Sequence, residues 1–299
     1  MDQLVKATAA HGQLRAFAAV TTDAVAEAIR RHDCYPVAAA ALGRTMTGAL
    51  LLAANLKNKE SVTVKFKGDG PLGTVTADAT AEGSVRGYVD YPHVNLPLNA
   101  HGKIDVGGGI GAGILSVTRF TGLKEPVTGS VDITNGEIAD DLIAYLYTSE
   151  QTPSSIGLGV LVSPELQCLG AGGFLIQPMP GASDETIDRL EENLKGISSV
   201  SHMVEEGLDA AGIIGKILSD FDDVKLLSTT DLAFRCNCSK NYITDRLLTL
   251  GEEDLRALRD DGTAEVKCHF CNEAYTFDRA DLSAIYNVAQ KMRAMRAGK

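Results

Sequence analysis

Two hydrophobic periods alternate along the chain. Residues 23–31 follow a helical period that Tyr35-Pro36 should end, because the residue before a proline is pushed out of the α region. Residues 38–56 are apolar almost all round, which predicts a buried helix. The period then drops to two. Val62, Val64 and Phe66 alternate with Thr63 and Lys65, as a half-buried strand requires. Gly68-Asp69-Gly70-Pro71-Leu72-Gly73 is a cluster of turn formers, and further strands are expected over 74–79, 85–89, 114–120 and 127–133. Ile138, Leu142, Tyr145 and Leu146 share one helical face, and that helix should stop before Pro153. Residues 157–162 and 173–176 return to the β pattern.

Gln177-Pro178-Met179-Pro180-Gly181 breaks the pattern and marks a boundary. Beyond it, Ile187, Leu190, Leu194 and Ile197 recur at helical spacing behind a Ser183/Asp184 cap. A second helical stretch runs over 202–221 and contains Gly207, Gly212 and Gly215. Each interior glycine costs a helix about 1 kcal/mol relative to alanine. The stretch is either one weak surface helix, a pair of helices turning at Gly207, or a linker built to unfold. After a strand at 232–234, helices are expected over 240–250, closed by Gly251, and over 252–259. A strand at 264–267 and a last helix capped by Asp281 complete the chain. The fold class is therefore α+β: a mixed α/β N-terminal domain with a β-sheet core (1–180), an acidic helical linker (181–230) and a small C-terminal domain (231–299).

The 299 residues, 44% hydrophobic and 22% charged, exclude a disordered chain and suffice for about two domains. The net charge is -11, of which -7 falls in 181–230, -4 in 1–180 and none in 231–299. Such a chain is a poor general ligand for nucleic acid or anionic membrane, and neither is expected as a partner. The apolar run 38–54 carries Arg44, Thr45 and Thr47 and is short for a bilayer span, so it reads as a core helix. Met1-Asp2-Gln3-Leu4 opens without a basic run and an apolar stretch, so no secretory signal is expected and the expected compartment is cytoplasmic.

Against that background the cysteines stand out. Cys236-Asn237-Cys238 and Cys268-His269-Phe270-Cys271 form two close pairs separated by the 29 residues 239–267. Outside an oxidising compartment, paired cysteines at this spacing point to a metal site, here a tetrahedral four-thiolate zinc site with one ion per chain. His269, inside the second pair, would struggle to reach the same ion. Four thiolates on Zn²⁺ leave a charge of about -2, which Arg235, Lys240 and Lys267 would offset in part. The site is either permanently structural or a switch that oxidation opens, and spacing does not choose between them. Cys34 and Cys168 stand alone among apolar residues and read as buried free thiols. Gly107-Gly108-Gly109-Ile110-Gly111-Ala112 matches GxGxxA, but a strand rather than a helix is expected after it, so it is rejected as a dinucleotide fingerprint. No catalytic constellation emerges, and the chain is not expected to be an enzyme.

The residues resemble the bacterial 33-kDa chaperonin family, the thirty-three-kilodalton heat-shock proteins. The resemblance rests on Gly68-Asp69-Gly70-Pro71-Leu72-Gly73, Val85-Arg86-Gly87-Tyr88-Val89, Gly136 to Leu142, Ser149-Glu150-Gln151 and Ala171 to Gln177. The cysteine pairs, with Ser239, Asn272, Tyr275 and Phe277 around them, carry it to the C-terminal domain. It implies a redox-regulated, ATP-independent holdase that binds unfolding client proteins. Reduced protein would hold zinc through Cys236, Cys238, Cys268 and Cys271. Oxidation would form the disulfides Cys236–Cys238 and Cys268–Cys271, release the metal and unfold the linker. The active form implied is a homodimer. A zinc-ribbon nucleic-acid binder and a thiol oxidoreductase are the competing readings.

Overall fold

The computed structural model describes every residue except Asn58, Ser198, Gly298 and Lys299, and opens with a hairpin of β1 (Gln3–Ala9) and β2 (Leu14–Val20). Then come α1 (Thr22–His32), α2 (Pro36–Ala53), β3 (Ser61–Gly68), β4 (Thr74–Thr80), β5 (Ser84–Val89) and α3 (Val106–Ile110). They are followed by β6 (Gly113–Phe120), β7 (Val127–Asp132), α4 (Ala139–Thr148), β8 (Ser155–Val162) and β9 (Cys168–Pro178). Next are α5 (Asp184–Lys195), α6 (Val200–Glu205), α7 (Ala210–Ile217), β10 (Lys225–Asp231) and β11 (Ala233–Phe234). The remainder comprises α8 (Lys240–Leu247), α9 (Glu252–Asp261), β12 (Ala264–Lys267), β13 (Ala274–Phe277) and α10 (Arg279–Ala297). Two compact units divide this order, Met1–Arg235 and Cys236–Lys299.

In the first unit, one sheet has the order β10-β1-β2-β9-β8, all antiparallel, and a second has the order β11-β5-β4-β3-β6-β7. α2 packs against strands of both sheets. All of α2 except Pro36 and Arg44 is buried, which is what its apolar character serves. It has the length and hydropathy of a membrane span, yet nearly all of it is buried inside protein. Thr45 and Thr47 donate to the carbonyls of Ala41 and Gly43, and Arg44 Nη1 donates to Glu137 at 2.7 Å. The expected alternation of β3 holds, with Val62, Val64 and Phe66 fully buried. β6 follows Gly111-Ala112 as a strand, as the rejection of the dinucleotide fingerprint requires.

The central strands β1, β2 and β9 of the five-stranded sheet are covered on both faces. Leu4, Phe17, Ala19 and Leu175 face α2 and its neighbours. Val5, Ala7, Ala16, Ala18 and Ile176 face the other way, onto Leu190, Val200, Met203, Ile213, Ile214 and Ile217 of α5, α6 and α7. Residues 181–230 are therefore not a free-standing helical connector. Their three helices carry a continuous apolar face that completes the core of the first unit, and β10 pairs with β1, for example Leu4 with Thr230. The stretch 202–221 is a helix pair turning at Gly207, whose φ is 95°. The N–H of Gly207 donates to Val204 O and that of Leu208 to Met203 O, closing α6 in the manner of a Schellman turn.

The second unit has a small core of Ile243, Leu247, Leu255, Phe277, Leu282, Ile285 and Ala289. Two local expectations change there. Gly251 is the N-cap of α9, with φ -58°, rather than the residue closing α8. The N-terminus of α10 is capped by Asp278, whose Oδ1 accepts from Asp281 N at 2.9 Å, so Asp281 sits in the first turn.

Candidate metal centre

Each cysteine pair is held by a short, hydrogen-bonded segment. Cys236 and Cys238 lead into α8, whose N-cap Ser239 accepts through Oγ from Tyr242 N at 3.1 Å. Cys268 to Cys271 lie in the turn of the β12–β13 hairpin, where Lys267 pairs with Ala274. Cys268 N donates to Glu273 O at 2.9 Å, and Asn272 N donates to Cys268 O at 2.8 Å. Asn272 takes the left-handed region, φ 57°, which asparagine tolerates better than most residues.

These turns bring four sulfurs together. Cys236 Sγ lies 3.7 Å from Cys268 Sγ, Cys238 Sγ lies 3.2 Å from Cys271 Sγ, and all four sulfurs fall within 4.8 Å of one another. A tetrahedron with metal–sulfur bonds of about 2.3 Å has sulfur–sulfur edges of about 3.8 Å, so the cluster is of the size a zinc ion needs. Cys271 is buried and the other three are half-buried. Burial pushes the Cys238 and Cys271 thiols above the usual thiol range, and the Tyr275 hydroxyl, donating to Cys238 Sγ at 3.2 Å, pulls Cys238 partly back. A cluster whose thiols resist ionisation needs a bound cation to hold its thiolate form. The donor set and its spacing thus fit a metal ion.

Two of the flanking cations, Lys240 and Lys267, have partners of their own. Lys240 Nζ donates to Asp281 at 2.6 Å and lies 5.1 Å from the Phe277 ring centre, while Lys267 Nζ is 3.8 Å from Glu265. Arg235 belongs to the first unit. His269 is exposed and is not among the four clustered residues. Cys34 is buried and Cys168 half-buried, both in the first unit, and burial pushes each thiol up to about 12. Tyr275 is the contact that the cysteine spacing did not signal. Its place four residues after Cys271, on β13, could have suggested it.

The fold and the cluster define a class: a two-unit α+β protein in which a two-sheet domain precedes a small four-cysteine metal-binding module. The sequence model of the family described as Hsp33 protein matches residues 2–278, and the chain belongs to that family. It is 47% identical over 292 residues to the 33 kDa chaperonin of Geobacillus kaustophilus, covering 97% of this chain and 99% of the relative. The 33 kDa chaperonin of Listeria monocytogenes serovar 1/2a is 46% identical over 292 residues, with the same coverage of both chains. Among solved structures, the 33 kDa chaperonin (heat shock protein 33 homolog) of Thermotoga maritima superposes with a TM-score of 0.90 at 34% identity, covering 97% of this chain and 99% of that one. The resemblance read from the glycine-rich turn and the cysteine pairs is thus a family membership, and these relatives are named as chaperonins rather than as enzymes.

Proposed function

We propose that the protein is a redox-regulated, ATP-independent holdase, non-enzymatic and cytoplasmic, that keeps unfolding proteins from aggregating. The observation that carries this reading is the convergence of Cys236, Cys238, Cys268 and Cys271 in a member of the 33 kDa chaperonin family. In the reduced state the four thiolates hold one zinc ion. An ion held by these four residues would join the segment before α8 to the β12–β13 turn and would contribute much of the folding free energy of a unit with so small a core. A peroxide-class oxidant takes two electrons from each pair, Cys236 with Cys238 and Cys268 with Cys271. Each pair becomes a disulfide, the oxidant is reduced to water, and the ligand set is lost.

The consequence for the first unit follows from its packing. Residues 181–230 carry a net charge of -7 and cover one face of the five-stranded sheet. Their departure uncovers Val5, Ala7, Ala16, Ala18 and Ile176 together with their own apolar face, which is the kind of surface an unfolded client needs. The active form is a homodimer in this reading. The test is suppression of thermal aggregation of an unrelated enzyme by reduced and peroxide-oxidised protein, with zinc release followed in parallel. The oxidised form should suppress aggregation near stoichiometric ratio and the reduced form should not. Equal activity of the two forms, or catalytic turnover of a small disulfide, would overturn it.

A further inference from the structure

β8 is an edge strand. It pairs with β9 on one side, and among the described residues no other strand joins its second edge. That open edge forms the floor of a groove of about 960 Å³. One wall comes from the side of α2, with Arg44, and from the 98–104 loop, with Leu98, Lys103 and Ile104. The other comes from the helices on the opposite face of the sheet, with Ile197 and His202. Leu98 is 63% exposed, and Ile104 on the same wall and Ile197 on the other are half-buried, so apolar surface stands on both sides of the unpaired backbone.

We propose that this groove takes an extended polypeptide segment, apolar with a flanking acidic residue, which adds to β8 as a sixth strand of the sheet. The proposal rests on the holdase reading and names the place where a client chain is held.

Three observations fix the occupant. A free strand edge presents a row of backbone donors and acceptors that another extended backbone satisfies best. The floor is eight residues long, about 26 Å, which suits a strand rather than a compact small molecule. The edge is also recessed between residues from opposite faces of the sheet. With both walls in place a second copy would bring its own recessed β8, so this geometry favours a thin extended chain over a dimer through this edge. The charge lining is one-sided as well. Arg44, Lys103 and His202 contribute to the walls, and among the described residues no carboxylate does. Arg44 is paired with Glu137 and His202 with Glu205, whereas the Lys103 ammonium makes no ion pair among the described residues. In a chain of net charge -11, this leaves Lys103 to meet an acidic group on the occupant. The wall carrying Ile197 and His202 belongs to the 181–230 segment, so its release on oxidation would open the groove along one whole side.

The probe is a fluorescent octapeptide of alternating Val and Thr with Glu at each end, offered to the reduced and the oxidised full-length protein. Binding should be tighter to the oxidised form, and hydrogen exchange over 155–162 should slow at least tenfold. Two versions N-methylated at alternate residues, one in each phase, keep the side chains and remove half the backbone donors. At least one of them should bind more than tenfold more weakly. Lys103→Glu, an exposed substitution, should weaken the Glu-ended peptide at least threefold and favour a Lys-ended one. Unchanged binding of both N-methylated versions, protection only outside 155–162, or no binding to either form would overturn the proposal. Aggregation suppression by the oxidised wild-type protein is measured alongside. Its absence refutes the holdase reading, whereas its presence without protection of 155–162 refutes the groove alone.

Discussion

The hydroxyl of Tyr275 donates a hydrogen bond to the sulfur of Cys238 at 3.2 Å. The bond acts on both partners in the expected directions: it draws the Cys238 pKa down, against the burial that raises it, and pushes the Tyr275 pKa up. Tyr275 lies on β13, beyond the hairpin turn that carries Cys268 and Cys271, and reaches back to the other cysteine pair. It therefore ties the two halves of the cluster together independently of any metal.

Removing that hydroxyl should weaken metal binding without removing a ligand. Partners that hydrogen-bond to metal ligands typically affect affinity by about 10–100-fold. Tyr275→Phe should bind zinc about tenfold more weakly, measured by competition with a chromophoric chelator under reducing conditions. The ring is retained, so the α10 and β13 packing should be unchanged by circular dichroism. Unaltered zinc affinity would make the hydrogen bond incidental.

Oxidation should leave two of the six cysteines untouched. Cys34 and Cys168 have pKa values pushed up to about 12 by burial, so about one sulfur in 10⁵ is thiolate at neutral pH. Differential alkylation and peptide mapping of peroxide-treated protein should find both as free thiols while the first unit is folded. The same map should find Cys236 joined to Cys238 and Cys268 to Cys271. In the folded cluster, Cys236 also touches Cys268 and Cys238 touches Cys271, so cross-pair disulfides are the alternative outcome and would replace the proposed connectivity.

How far the sequence revealed these features depended on burial. β3 was readable because one face of it is buried and the other is not, so Val62, Val64 and Phe66 alternate with polar residues. The β1–β2 hairpin was not, because both faces are covered: Leu4 and Val5 are buried in succession, and Ala16 to Val20 are buried without a break, which erases the period of two. β10 failed for the opposite reason, since nearly all its residues are exposed and backbone pairing to β1 places them in a sheet. The four clustered cysteines were legible because pair spacing is itself the signal. The β8 groove was not, since Arg44, Lys103 and His202 come from distant segments that only the fold brings to one edge.

Acid should loosen the end of the 181–230 segment. Asp223 Oδ1 accepts from Ala10 N at 2.8 Å, Oδ2 accepts from His11 N, and His11 Nδ1 lies 3.4 Å away. Ala10, His11 and Gly12 all have positive φ, 51°, 55° and 87°, so this tight loop is turned toward the carboxylate. The hydrogen bond from His11 and then that from Ala10 hold the Asp223 carboxyl below its usual range. A carboxylate lowered in the folded state contributes stability that is fully present above the ordinary value of about 3.9 and is lost as pH falls through the lowered one. Hydrogen exchange at Ala10 and His11 should therefore speed up below about pH 4, beyond the intrinsic pH effect. Asp223→Asn should show weaker protection at pH 7 and little dependence on acid. A wild-type protein as insensitive as the variant would mean that the loop is held by something else.

Two glycines in the covering helices should move activation in opposite directions. Gly215 lies inside α7, and a Cβ there would meet nothing within 4 Å, so Gly215→Ala adds helix propensity without a clash. The gain should be about 0.5–1 kcal/mol, from the freedom that glycine keeps in the unfolded chain. Gly207 closes α6 at φ 95°, where alanine is strained, so Gly207→Ala should cost about 1 kcal/mol although its surroundings are also open. The two positions lie in the same covering layer, and both belong to the first unit rather than to the unit that holds the cysteine cluster. If departure of 181–230 from the sheet is what exposes client-binding surface, Gly215→Ala should need more oxidant or a higher temperature to suppress aggregation, and Gly207→Ala less. Zinc release should run at the wild-type rate in both. Hydrogen exchange over 200–217 should be slower in the first and faster in the second. If those exchange rates shift as expected while the activation threshold stays fixed, unfolding of the covering helices is a bystander to activation, and the client-binding surface must be one that the helices do not cover.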